Sequence, residues 1–134
     1  MTNLKITSIN VTSLQKPERM VELVRQLEKE SIDICLVQET RFKFKPIEIQ
    51  LLGKYKIFRC DEGVGTAVLL KSKYRAQLLD TKFLTKLNAT SVNVYLQNKK
   101  SVILTSLYKL SRNPKSAPLM GFRTLRHCGG PSLQ

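Results

Sequence analysis

Acidic side chains are scarce in this 134-residue chain: ten Asp and Glu stand against 23 Lys and Arg, a net charge of +13. Such a field disfavours cationic partners and favours a polyanion, nucleic acid before an anionic surface. Cysteine is scarce too. Cys35, Cys60 and Cys128 are odd in number and widely spaced, with no CxxC pair. They support neither a disulfide framework nor a zinc site, and Cys35, inside an apolar run, reads as a small core residue. Histidine occurs once, at His127. No apolar run approaches the ~20 residues of a membrane helix. Met1, Thr2 and Asn3 lead straight into a strand-like alternation, without the basic region or cleavage site of a signal peptide. These absences lead us to expect an intracellular protein, nuclear or cytoplasmic, not secreted and with no membrane partner. The Asn-x-Thr matches at Asn10 and Asn88 are then chance, because glycosylation requires secretion.

What is present fits one ordinary globular domain, with 42% hydrophobic and 25% charged residues. Leu4 to Ile9 alternates apolar and polar residues and predicts a strand that ends in Asn10. Pro17 suits the first turn of a helix. Met20, Val24 and Leu27 then recur at helical spacing, so an amphipathic helix is expected from Pro17 to about Glu30. Ile32 to Thr40, reading IDICLVQET, is an apolar run that turns abruptly polar. It predicts a strand buried on both faces, with Asp33 as its one early exception. A strand–helix–strand unit makes the two strands parallel and brings their carboxyl ends to one edge. Asn10 and Glu39 are therefore expected side by side, where open α/β folds place their ligands.

Further along, Tyr55 to Arg59 alternates, Asp61 to Gly65 reads as a turn, and Thr66 to Leu70 as a buried strand. Gly63 and Gly65 lack the spacing and the following helix of a phosphate loop, so a hairpin turn explains them better. Thr90 to Leu96 and Ser101 to Tyr108 form a second expected hairpin. Residues 111–134 hold Pro, Gly and basic residues with little apolar periodicity and are expected to be an irregular basic tail behind a domain of residues 1–110. Basic residues concentrate at Arg41 to Lys45, Lys71 to Arg75 and Lys99 to Lys100. Arg41, Lys43, Lys45, Lys71 and Lys73 are the expected nucleic-acid contacts, and Phe42 and Phe44 between the first three could stack on bases. The structural alternative is that one of these rings packs inward.

Four features together resemble a known family. They are a strand ending in Asn10, a second strand ending in Gln38-Glu39-Thr40, the Gly63-Val64-Gly65 hairpin, and a late strand ending in Ser106-Leu107-Tyr108. Their order and spacing, over roughly residues 4 to 108, resemble the N-terminal half of the endonuclease/exonuclease/phosphatase family. Within it they are most similar to the apurinic-type endonuclease domain of LINE-like (non-LTR) retrotransposons. The resemblance implies an α/β sandwich with a mixed sheet, of which this chain holds the N-terminal part: a β-α-β start followed by hairpins. In that family the sandwich has four layers, with two packed sheets among them. It also implies magnesium-dependent phosphodiester hydrolysis, with Mg2+ as cofactor and Mn2+ as the alternative. Glu39 would bind the metal, Asn10 would help place metal and scissile phosphate, and Tyr108 would hydrogen-bond the phosphate.

The departures from the family's pattern concern its second half. No Gly-Asp-x-Asn segment occurs, and the three Asp residues, Asp33, Asp61 and Asp80, all precede Tyr108. His127 has no acid beside it, so the family's general-base candidates are missing. The sequence thus suggests an N-terminal part of an endonuclease domain of retrotransposon origin, catalytically incomplete. Its expected partners are DNA ahead of RNA, the remainder of the domain, or a reverse transcriptase of the parent element. The alternatives are a non-catalytic basic nucleic-acid-binding module and a small structural domain with a coincidental likeness. If half of the family's sandwich is present, Thr66 to Leu70 should expose an apolar face and an unpaired edge, with marginal stability as the result.

Overall fold

Pro17 opens the helix α1 (Pro17–Lys29) at its first position, where a missing N–H costs no helical bond. Met20, Val24 and Leu27 form its buried stripe, and Glu18 in the first turn complements the macrodipole. Its end is a Schellman arrangement: Ser31 N–H bonds Glu28 O at 3.0 Å and Ile32 N–H bonds Leu27 O at 2.9 Å. Ser31 takes the left-handed position that glycine usually fills, with φ 56°.

The computed structural model describes residues 3–43, 53–81, 87–97, 99–109, 119–122 and 126–129. Among these residues nine strands form two sheets. The first sheet holds β1 (Ile6–Asn10), β2 (Ile34–Gln38), β3 (Tyr55–Cys60) and β4 (Thr66–Lys71) in the order β1-β2-β4-β3. β1 and β2 run parallel, with Asn10 opposite Gln38, and the remaining pairs are antiparallel. The second sheet is β5 (Arg75–Leu79), β6 (Leu87–Tyr95), β7 (Lys100–Lys109), β8 (Leu119–Phe122) and β9 (Arg126–Gly129), all antiparallel.

Strand alternation splits the core into two layers. Cys35, Val37, Ala67 and Leu69 face the helix and pack on Met20, Val24 and Leu27. Ile34, Leu36, Val68 and Leu70 face the second sheet and pack on Val92, Val94, Val102 and Leu104. The described residues thus make three layers, helix on sheet on sheet, where the family resemblance implied four. β4 is central in its sheet, and Thr66 to Leu70 are all buried. The expectation that this strand exposes an apolar face is therefore overturned. The N-terminal segment supplies strands to both sheets, so their interface closes within these residues.

Two further differences from the sequence reading have local causes. β5 carries Ala76 and Gln77, weak strand formers at a sheet edge, and was not expected; pairing with β6 sets it. β8 and β9 lie in the region expected to be irregular, and both are defined by antiparallel pairing to β7. Lys45, Phe44 and the helical turn expected over Pro46 to Leu52 lie outside the described residues. Asp33, the polar intrusion in the β2 run, ties the opposite end of the sandwich. Its Oδ2 accepts the Lys5 N–H at 2.9 Å, and its Oδ1 accepts the Tyr74 hydroxyl at 3.2 Å and meets Lys71 Nζ at 3.4 Å.

Candidate active-site residues at the parallel strand ends

β1 and β2 both terminate at the edge where the helix-side loop begins. The Asn10 amide stands at one strand end and Glu39 one residue past the other. Asn10 Nδ2 donates to Glu39 Oε2 at 2.5 Å, joining residues 29 apart in sequence. Asn10 Oδ1 accepts the Thr12 N–H at 2.9 Å. That second bond fixes which way the amide points, because its oxygen already faces a backbone donor. Asn10 therefore orients the carboxylate, while Glu39 is the oxygen donor of the pair.

The chain leaving β2 adopts an unusual alternation. Glu39, Arg41 and Lys43 all take left-handed backbone angles, φ 59°, 54° and 52°. Between them Thr40 and Phe42 are buried. The inward residues anchor the segment, and the three charged residues between them remain partly or fully exposed. Each such angle at a non-glycine residue costs on the order of 1–2 kcal/mol. The surroundings hold it: Thr40 N–H bonds Gly65 O at 3.2 Å, Arg41 N–H bonds Val64 O at 2.9 Å, and Leu14 N–H bonds Thr40 O at 2.9 Å. Gly65, at φ 86°, lies so close to Thr40 Oγ1 that a Cβ would collide with it. The glycine hairpin is thus a support for Glu39 and not a phosphate loop, in line with the sequence reading.

Arg41 closes the group. Its Nη2 meets Glu39 Oε1 at 3.1 Å, with the two side chains 41% and 15% exposed. Its Nε donates to Thr12 O at 2.8 Å. Below the rim, Gln38 is fully buried; its Nε2 donates to Ser106 Oγ at 3.1 Å, and Ser106 Oγ donates to Val37 O at 2.6 Å. This bridge ties the two sheets directly beneath Glu39. Tyr108 lies two residues past Ser106 on β7, hence on the same face and one step toward the end of the strand. It is opposite Asn88.

Asn88 was not recognised in the sequence as part of this region. Its Oδ1 accepts the Val64 N–H at 3.1 Å and braces the glycine hairpin. The available signal was an Asn within the strand-forming run LNATSVNVY, where that residue is disfavoured. Of the expected nucleic-acid contacts, Arg41 and Lys43 flank Glu39. Lys71 does not: it ends β4 beside Asp33, at the opposite end of the antiparallel pair. Lys73 follows there, 5.2 Å from the Tyr74 ring centre. Phe42 is the inward-packing ring of the basic loop, with Arg59 5.0 Å above its centre. His127 pairs with Val102 in register, six residues and roughly 20 Å along β7 from Tyr108.

The donor set suits a hard cation. Among the described residues no group of three or more His, Cys, Asp or Glu could enclose a metal. One carboxylate, oriented by Asn10 on Oε2 and covered on Oε1 only by the half-exposed Arg41 side chain, fits an ion that keeps most of its waters, as Mg2+ does. It does not fit a closed zinc site.

No protein-family model matches the sequence, and no curated protein matches it significantly. Solved structures do match. The fold is similar to that of a humanized D. rerio TDP2 carrying 14 mutations, with a TM-score of 0.59 and 20% identity over 82% of this chain and 52% of that one. It is also similar to D. rerio TDP2 complexed with a single-strand DNA product, with a TM-score of 0.54 and 18% identity over 83% of this chain and 48% of that one. The chain spans about half the length of these structures. The described residues, two sheets with a helix packed on one of them, have a partial endonuclease/exonuclease/phosphatase-like fold, the α/β sandwich expected from the resemblance.

Proposed function

We propose that this chain is the cation- and phosphate-binding part of a nucleic-acid phosphodiesterase of the endonuclease/exonuclease/phosphatase type, derived from a retrotransposon. The observation that carries the reading is the Asn10–Glu39 hydrogen bond at the carboxyl ends of two adjacent parallel strands. The strained segment from Glu39 to Lys43 supports it, since backbone strain of this kind persists where a site depends on it. The structural match to TDP2 with a single-strand DNA product is consistent with it.

In this reading Asn10 fixes the rotamer of Glu39, and Glu39 offers Oε1 to Mg2+ or Mn2+. Bound there, a divalent cation neutralises charge that develops on phosphate oxygens. Tyr108 donates its hydroxyl to the phosphate, and Arg41 and Lys43 contact the backbone of the strand. Among the described residues no general base is seen to join this set. Asp33 is committed to Lys5, Tyr74 and Lys71 at the other end, and Asp61 is paired with Arg59 at 2.9 Å. We therefore expect the 134-residue chain to bind a cation and nucleic acid without hydrolysing it. The second reading, a basic binding module that uses no metal, is favoured by the single carboxylate at the site.

Titration with Mn2+ separates the two. Wild type should bind one ion at the site and Glu39→Gln should lose at least tenfold in affinity, about 1.4 kcal/mol. Equal Mn2+ binding by both would refute the metal reading. Mg2+-dependent plasmid nicking that vanishes in Glu39→Gln would refute the expected lack of hydrolysis.

A further inference from the structure

Both oxygens of Glu39 are already occupied, but by partners of different kinds. Oε2 takes the amide of Asn10 at 2.5 Å, and that amide is itself pinned by Thr12. Oε1 takes the guanidinium of Arg41 at 3.1 Å. Arg41 is the removable partner, because its side chain is 41% exposed while that of Glu39 is 15% exposed. Its backbone is the fixed part: the Arg41 N–H bonds Val64 O at 2.9 Å, its carbonyl accepts Gln15 Nε2 at 2.7 Å, and its φ is 54°. A strained backbone thus aims a partly exposed cation at the one carboxylate oxygen a metal would use.

We propose that Arg41 is a tethered counter-cation that competes with a divalent ion for Glu39 Oε1 and, once displaced, becomes a phosphate contact. The inference rests on the metal reading of Glu39. A guanidinium and a divalent ion repel each other across one carboxylate oxygen, so only one holds Oε1 at a time. The side chain's other bond, Nε to Thr12 O at 2.8 Å, is to an exposed loop residue and does not hold it inward alone. Turned outward from the same strained backbone, the guanidinium stands beside Lys43 and presents its fork to a phosphate, which it matches bidentately. Cation and nucleic acid then reinforce each other's binding, and by linkage the reinforcement is reciprocal.

Arg41 would be a positioning residue, and its test therefore uses binding and not turnover. Mn2+ serves as the probe, with free ion measured by electron paramagnetic resonance for wild type, Arg41→Gln, Arg41→Lys and Glu39→Gln. Arg41→Gln removes the competitor and should bind Mn2+ about five- to tenfold more tightly, the scale of a partly exposed ion pair. Arg41→Lys keeps the charge and should stay within about twofold of wild type. A loop damaged by the substitution would weaken the ion, so a gain cannot arise from misfolding. In parallel, affinity for a labelled single-stranded oligodeoxynucleotide is measured with and without Mn2+. The ratio of the two affinities should be about fivefold higher in wild type than in Arg41→Gln. If Glu39→Gln binds Mn2+ as wild type does, the metal reading itself is wrong. If Glu39→Gln loses the ion but Arg41→Gln binds it no better than wild type, or leaves the oligonucleotide ratio unchanged, the metal reading stands and the competition is refuted.

Discussion

At the residue scale, Asn10, Glu39 and Tyr108 stand at strand ends, and the structure shows how the first two meet. The carboxylate and its amide partner meet as expected, but the amide oxygen is taken by Thr12, so in the proposed reading Asn10 positions the carboxylate and Glu39 is the group that would bind. Cys35 behaves as the core residue it resembled in sequence: burial pushes its thiol up from 9.0 to about 12. Tyr55 is raised from 10.0 to about 12, first by burial and then by the Glu28 and Asp33 carboxylates and Cys35. Its hydroxyl donates to Ile32 O at 2.6 Å, a bond that ionisation removes. In both groups the folded pKa lies above the ordinary value, so the fold favours the protonated form. Their contribution is complete below about pH 9 and is lost as the pH rises toward about 12. Urea unfolding should therefore show lower stability at about pH 11 than at about pH 8, and Tyr55→Phe should lose less across that interval. A flat profile would contradict the burial of both groups.

At the scale of elements, the glycine hairpin between β3 and β4 matters more than its composition suggests. Gly53 and Gly65 both have positive φ, 72° and 86°, but only Gly65 also sits against the Glu39 segment. A Cβ at Gly53 would meet nothing, whereas at Gly65 it would strike Thr40. Gly53→Ala should thus cost about 1 kcal/mol from backbone alone. Gly65→Ala should cost about 2–4 kcal/mol, because overpacking adds to the same strain. Chemical denaturation of the two variants checks this ordering. The pairing of β2 with β4 could be anticipated only in part. The run Ile34 to Val37 announces a strand buried on both faces, and it is. Nothing in its residues says which neighbour is parallel and which antiparallel, because hydrogen-bond partners are set by the chain's path. β5 escaped notice for a related reason: its strand character comes from pairing with β6, not from its side chains.

For the whole molecule the net charge is +13, and among the described residues the fold places basic side chains at both ends of the sandwich. Arg41 and Lys43 border Glu39, while Lys71 and Lys73 lie at the other end. If nucleic acid approaches the Glu39 end, Arg41→Gln with Lys43→Gln should reduce the salt slope of DNA affinity by about 1–2, each phosphate contact contributing roughly 0.7–0.9. Lys73→Gln should leave that slope unchanged. Equal losses from both variants would show a diffuse surface. The closed interface between the sheets carries a second expectation. Val68 and Leu70 pack against Val92 and Leu104 across it, so both sheets should unfold in one cooperative transition. Hydrogen exchange that opens the second sheet well before the first would show otherwise.

The sequence by itself determined the local events: an amphipathic helix from Pro17, two strands ending in Asn10 and Glu39, a glycine turn, and a late strand ending in Tyr108. These follow from periodicity and turn chemistry, which act over a few residues. Only the tertiary structure decided that β4 is central and fully covered, that Lys71 faces Asp33 and not the site, and that Asn88 braces the hairpin. It also decided that Arg41 folds back onto the carboxylate it follows. Each of these depends on strand register and on left-handed backbone angles that neighbouring segments impose, and neither is encoded in the residues that show it.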